Sequence, residues 1–219
     1  MPCPRRLPLP WLSIRLLILA LLAAATPSPA ALAPPTAAPE IREHQGRQLA
    51  AFDRAYDNSI KGPQKVDREK FRLKVRGLVE RPLDLTYDQV LALPVARRVV
   101  TMPCVEGWSE TLLYDGARVA DILAQAGLKP GAKFVVFRAA DGYDSALSLV
   151  YIEKADALLG YKINGRTLDA NRGFPFQVVA EHMLGYKWVK WVVELEVTDK
   201  PHQGYWEKRG YPDDARTDR

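Results

Sequence analysis

One short segment gathers the side chains best suited to covalent or metal chemistry. In Val99-Val-Thr-Met-Pro-Cys-Val-Glu-Gly-Trp-Ser, Cys104 follows an apolar, β-branched run that reads as a strand. Pro103 fixes the backbone before it and Gly107 permits an unusual turn after it. Loops held by rigid strand ends are where ligands and nucleophiles are displayed. Three readings fit a lone thiol there. It can be an inert core residue, since free cysteine is among the most buried types. It can be a nucleophile, which requires a histidine base; the chain has only His44, His182 and His202, none in a recognisable nucleophile motif. It can be the single protein ligand of a soft metal held mostly by an organic cofactor. Zinc is a poor match, because one cysteine without a His/Asp cluster cannot complete a four-coordinate site.

The other cysteine, Cys3, sits in a leader. Arg5, Arg6 and Arg15 precede or enter an apolar run, Leu16 to Ala25, followed by Thr26-Pro-Ser-Pro-Ala-Ala. That basic, apolar, small-residue order is an export signal over residues 1–30, cleaved after Ala30. The apolar run is about half of the roughly 20 residues that cross a bilayer, so an uncleaved anchor is the weaker alternative. Arg5-Arg6 also suits a twin-arginine address, although Pro8 and Pro10 depart from it. A periplasmic or secreted protein is expected by either route. Without the leader, three arginines go and the basic count of 31 falls to 28 against 26 acids, so the net charge drops from +5 to about +2. A nucleic-acid partner then has little support. Cys104 becomes the one thiol of the mature chain in an oxidising compartment. The 219 residues, 47% hydrophobic and 26% charged, suit one globular domain and exclude a disordered, collagen-like or multi-pass membrane chain.

Several elements must position Cys104. Residues 31–57 read as an Ala/Pro-rich linker followed, from Glu40 to Tyr56, by a short amphipathic helix. Phe71-Arg-Leu-Lys-Val-Arg alternates as a strand that Gly77 ends. Thr86-Tyr-Asp-Gln is a capping box opening a short helix that stops before Pro94. Val99 to Met102 is a strand. Val119, Ile122, Leu123 and Ala126 mark one face of a helix stopped by Gly127. Lys133 to Arg138 is a buried strand, Asp141-Gly142 a turn, and Tyr143 to Leu149 the return strand. Ile152 to Leu159 reads as a helix, Asn164-Gly165 as a hairpin turn, and Phe176 to Ala180 as a strand. Lys187 to Val197 is the longest strand candidate, with Val189, Trp191, Val193, Leu195 and Val197 on the core face and Lys190 on the polar face. The expected fold class is α+β, mainly β with a few short helices.

Taken in order, Cys104-Val-Glu-Gly-Trp-Ser, Tyr114-Asp-Gly and Val119-Ala-Asp-Ile-Leu resemble the molybdenum-binding region of the sulfite oxidase superfamily. So do Ala132-Lys-Phe-Val-Val-Phe, Asp141-Gly-Tyr, Gly173-Phe-Pro-Phe, Gly185-Tyr-Lys-Trp-Val-Lys-Trp-Val and Gly204-Tyr-Trp-Glu-Lys-Arg-Gly-Tyr. The likeness runs from about Asn58 to Tyr211. It implies an oxidoreductase domain over 58–200, with residues 201–219 as a tail packed on it. The cofactor implied is molybdenum-molybdopterin, with Cys104 as the metal ligand. Asn58, Trp188, Val189 and Lys190 match positions that contact the pterin or its phosphate. Asp141 and Tyr143 follow a strand and are expected to line the pocket in a catalytic role.

The chain departs from the methionine sulfoxide reductases of that superfamily at three places. Gln177 stands for an arginine, Arg172 for an asparagine and Ala139 for a threonine, so Arg172 and His182 are expected to supply polar contacts to the cofactor. Arg138, Arg172, Lys187 and Lys190 are the cations available to balance a phosphate or an oxyanion. The resemblance implies two-electron oxygen-atom transfer on a small oxyanion or sulfoxide-like substrate. It also implies an electron-transfer partner, a membrane haem protein or a cytochrome, because the sequence carries no second redox motif. The alternative is a metal-free binding module of the same fold.

Overall fold

The structure, a computed structural model, describes residues 39–54 and 58–218. The leader expected over 1–30, Cys3 and the Tyr56 end of the N-terminal segment lie outside the described residues.

The polar stretch after Glu40 forms a small hairpin instead of the expected helix. Strands β1 (Glu43–His44) and β2 (Arg47–Gln48) pair across Gln45 and Gly46, which lie at φ 49° and 74°. Two consecutive left-handed residues match the twist of a two-residue hairpin and are incompatible with a helix. Beyond it, Leu49 and Phe52 are buried.

The chain continues through β3 (Leu73–Gly77), β4 (Leu83–Leu85) and α1 (Tyr87–Leu91). The capping box expected at Thr86 is formed. Gln89 N donates to Thr86 Oγ1 at 3.1 Å, and Thr86 N donates to Gln89 Oε1 at 2.8 Å. Then come β5 (Val95–Pro103), β6 (Ser109–Arg118) and α2 (Val119–Ala126), whose buried face is the expected Val119, Ile122, Leu123 and Ala126. Strands β7 (Phe134–Ala139) and β8 (Asp144–Ser148) form the expected pair around Asp141-Gly142. Helix α3 (Leu149–Lys154), β9 (Leu158–Ile163), β10 (Arg166–Thr167), β11 (Gln177–Val179) and β12 (Val192–Thr198) complete the order.

Two five-stranded sheets share one apolar core. The first runs β10-β9-β6-β5, with β11 also paired to β9, and is antiparallel throughout. The second runs β4-β3-β12-β7-β8, antiparallel except where β12 lies parallel to β3. The architecture is the mainly β, α+β domain expected from the sequence.

Two further elements differ from expectation, each for a local reason. The helix expected over Ile152–Leu159 starts earlier, because Ser148 Oγ caps it by accepting from Tyr151 N at 3.1 Å. It ends before Asp156, at φ 52°, and Leu158 already belongs to β9. The strand expected over Lys187–Val197 is interrupted. Gly185–Lys187 is a 3-10 turn, Trp191 lies at φ 51°, and β12 begins only at Val192 with a register shift before Glu194. A left-handed residue cannot continue a β-ladder, so Trp188 and Val189 are buried side by side rather than alternating. Strand β6 carries no period-two pattern, since Leu112 to Ala117 are all buried between β5 and β9.

Asn164 ties the N-terminal segment to the first sheet. Its Oδ1 accepts from Leu113 N at 3.1 Å, its Nδ2 donates to Ala50 O at 2.8 Å, and its backbone sits at φ 53° in the expected hairpin turn. Asn164→Ala leaves the buried Leu113 N and the half-buried Ala50 O without this partner and keeps a strained turn. We expect a loss of about 3 kcal/mol of stability, read by urea unfolding.

Candidate functional site

Strands β5 and β6 pair residue for residue from Val95↔Ala117 to Pro103↔Ser109, and this pairing fixes where the loop between them begins. The loop is closed tightly. Cys104 N donates to Trp108 O at 2.8 Å, Gly107 N donates to Cys104 O at 3.2 Å, and Gly107 takes φ 85°. Cys104 thus sits at the first position of a rigid turn, half-buried. Burial pushes its thiol pKa up, and the neighbouring Glu106 charge pushes it the same way. Glu106 Oε2 lies 3.9 Å from Cys104 Sγ and accepts from Trp108 Nε1 at 2.8 Å.

The thiol stands on the wall of a cavity of about 390 Å³. Residues far apart in sequence converge there. Asp141 lies in the β7–β8 turn, where its Oδ1 accepts from Tyr143 N at 2.9 Å. Its Oδ2 is buried and has no hydrogen-bond partner. The Tyr143 hydroxyl donates to Tyr186 O, and burial raises its pKa strongly, so the hydroxyl is held neutral with its proton already engaged. Arg172 is buried: Nε donates to Phe52 O at 2.8 Å, Nη2 to Ala51 O at 2.9 Å and Nη1 to Glu110 Oε2 at 2.9 Å. Gln177 Oε1 accepts from the Tyr114 hydroxyl at 3.4 Å. Lys190 Nζ donates to Asn171 O at 2.9 Å.

Of the residues expected at a site, Asn58, Cys104, Asp141, Tyr143, Arg172, Trp188 and Lys190 all line this cavity. The rest lie elsewhere. Val189 is 1% exposed, and its carbonyl accepts from Val178 N at 2.8 Å. His182, at φ 63°, faces a separate hollow that also receives Lys187 and His202. Lys187 is 4% exposed and bonds Glu207 and Ala146 O. Arg138 pairs with Glu196, Glu194 and Asp144 on the second sheet. The 3-10 turn over Gly185–Lys187 separates Lys187 from Lys190, which an unbroken strand would have placed three residues along one ladder.

Glu110, Trp191, Trp206 and Tyr211 line the cavity without having been singled out for it from the sequence. Glu110 and Tyr114 sit four apart on β6 and face the same way, a signal legible only once β6 is known to be a strand.

Among the described residues no three His, Cys, Asp or Glu side chains gather as a metal site. A metal at Cys104 must therefore bring most of its ligands with it. The lone thiol, the space beside it and the ammonium of Lys190 fit a metallated organic group with a phosphate. The buried Arg172–Glu110 pair supports the same wall. Glu110→Gln leaves a guanidinium without its counter-charge, and we expect a loss of about 3–5 kcal/mol in urea unfolding. Removing both members with Arg172→Met and Glu110→Leu should cost less than Glu110→Gln alone.

Residues 60–206 match the family of oxidoreductase molybdopterin binding domains. The chain is similar to the uncharacterized oxidoreductase YuiH of Bacillus subtilis, at 35% identity over 68% of this chain and 76% of that protein. It is similar to a putative protein-methionine-sulfoxide reductase subunit, YedZ1, of Azospira oryzae, at 36% identity over 68% of this chain and 56% of that one. In structure it resembles the sulfane dehydrogenase SoxCD of Paracoccus pantotrophus, with TM-score 0.61 and 26% identity, covering 64% of this chain and 41% of that one. The chain thus spans little more than half of YedZ1 and less than half of the SoxCD chain. It belongs to the oxidoreductase molybdopterin binding domain family, within the sulfite oxidase superfamily, and is an oxidoreductase whose cofactor is molybdenum-molybdopterin.

Proposed function

We propose that the chain is an exported oxidoreductase that carries out two-electron oxygen-atom transfer on a small oxyanion or sulfoxide-like substrate, with Cys104 as the protein ligand to molybdenum. The observation that carries this reading is the placement of the Cys104 thiol on the wall of the 390 Å³ cavity, with no other metal-binding cluster among the described residues. Molybdenum-molybdopterin supplies the oxygen-atom and electron chemistry when bound. The chain's own residues do the rest. The closed turn from Cys104 to Trp108 presents the thiol without rearrangement. Lys190 and Asn58 line the cavity and offer an ammonium and an amide to the phosphate and the pterin. Tyr143, fixed to Tyr186 O, shapes the pocket as a neutral side chain.

Electrons enter or leave through a partner protein, a haem protein of the membrane or a cytochrome. YedZ1 is described as a subunit, which supports an assembly of this kind. Among the described residues no helix is long and apolar enough to cross a membrane. Export rests on the leader over residues 1–30, and its route on Arg5-Arg6.

Metal analysis of the protein purified from a cofactor-producing host should find about one molybdenum per chain. Cys104→Ser should lose it while keeping the urea unfolding midpoint of the cofactor-free unsubstituted protein, and equal molybdenum in the two proteins would remove Cys104 as the ligand. Replacing Arg5-Arg6 by Lys-Lys should trap the precursor in the cytoplasm, as shown by fractionation and immunoblotting. Unchanged export would assign the leader to the general route.

A further inference from the structure

Apart from Lys190, which the reading above gives to the cofactor phosphate, the charges on the cavity wall do not favour an anionic substrate. Among the described residues that line it, the acids are Glu106, Glu110 and Asp141 and the cations are Arg172 and Lys190. Each of the three nitrogens of Arg172 already donates within the protein, to Phe52 O, Ala51 O and Glu110. With a fourth contact from Nη2 to Glu110 Oε1 at 3.5 Å, four of its five N–H donors are engaged, and the one that is left cannot hold an oxyanion bidentately. Lys190 is the group that the reading above gives to the cofactor phosphate.

Asp141 presents the opposite demand. It is 2% exposed, one oxygen is engaged by Tyr143 N, and the other has no donor. A buried acceptor without a partner costs about 1–3 kcal/mol, and more when it carries charge. Asp141 lines the cavity, so a group bound against this turn is the natural source of the missing donor. The surrounding wall is aromatic. Tyr143, Tyr186, Trp206 and Tyr211 line the same cavity, with ring centroids 5.2 Å apart for Tyr186–Tyr211 and for Trp206–Tyr211. Aromatic faces beside an acidic group recognise organic cations, through the ring quadrupole and the opposite charge together.

We propose that this wall is a subsite for a positively charged nitrogen of the substrate, so that the enzyme acts on an ammonium-bearing organic molecule and not on a bare oxyanion. The inference rests on the oxidoreductase reading of the same cavity and deepens it. Asp141 lacks a donor or a positive charge, and beside aromatic rings an organic ammonium supplies the charge. The substrate is the source assigned here, and the pterin ring is the competing source.

The test uses the full protein with its cofactor, and tryptophan fluorescence, since Trp108, Trp188, Trp191 and Trp206 line the cavity. The probes are choline, its uncharged isostere 3,3-dimethylbutan-1-ol, and sulfite. We expect choline to bind at least about tenfold more tightly than the isostere, and more tightly than sulfite. In Asp141→Asn, which keeps an acceptor for Tyr143 N, and in Asp141→Ser, the preference should fall below about threefold with molybdenum and pterin content unchanged. Equal affinity for choline and the isostere in the unsubstituted protein would overturn the proposal, as would tighter binding of sulfite. This comparison decides even where a variant does not fold. Loss of molybdenum and pterin from the variants with the choline preference intact would also overturn it, and would assign the donor to the cofactor. The two readings fail separately. An Asp141-dependent choline preference in protein that never holds molybdenum removes the metal reading and keeps the subsite, whereas molybdenum-loaded protein without the preference does the reverse.

Discussion

The uninterrupted antiparallel pairing of β5 with β6 is the constraint from which the site follows. Nine consecutive residue pairs end at Pro103↔Ser109, so the five residues that remain must close as a tight turn. Two backbone hydrogen bonds and a left-handed Gly107 close it. The thiol at its first position is thereby held by the sheet rather than by its own neighbours. A ligand placed on such a scaffold loses little conformational freedom when it binds a metal. The same register places Glu110 and Tyr114 on the cavity side of β6, where Glu110 meets Arg172 and Tyr114 meets Gln177.

The wall opposite is assembled by long-range contacts. Arg172 reaches the carbonyls of Ala51 and Phe52, about 120 positions away in sequence, and so locks the N-terminal segment against the site. Lys187 and Ser145 both bond Glu207 in the interior, and Tyr205 N donates to Asp144 O at 3.0 Å. These contacts carry Trp206 and Tyr211 to the cavity. An ion pair so deeply buried adds little net stability over an apolar replacement, because desolvation offsets its Coulomb attraction. Its use here is to fix where the tail lies. Charge that the sequence displays as free lysine and arginine is largely consumed in this way, at Arg138, Arg172 and Lys187 alike. What remains at the cavity is more acidic and more aromatic than the net charge of the chain suggests.

Local chemistry made several elements readable in advance. The Thr86 capping box, the apolar face of α2 with Gly127 behind it and the Asn164-Gly165 turn each depend on residues within eight positions of one another. Cys104 stood out for the same reason, between a proline and a glycine at a strand end. Elsewhere distant partners decided. Residues 187–197 alternate well enough to read as one strand, yet the chain kinks at Trp191, whose N–H donates to Gly173 O at 3.1 Å and whose Nε1 donates to Ala170 O at 2.7 Å. Strand β6 gave no periodic signal because it is covered on both faces.

The division between sequence and tertiary structure follows from the range of the forces. By itself the sequence determined the mainly β class, the Asp141-Gly142 and Asn164-Gly165 turns, and the one thiol able to hold a soft metal in the expected mature chain, since these depend on residue type and on neighbours a few positions away. Only the tertiary structure decided which polar residues face the cavity. It left His182, Lys187 and Val189 elsewhere, brought Glu110, Trp206 and Tyr211 in, and left one oxygen of Asp141 without a donor. Burial and hydrogen-bond satisfaction belong to the packed whole. They are set by segments far apart in the chain, and no local pattern encodes them.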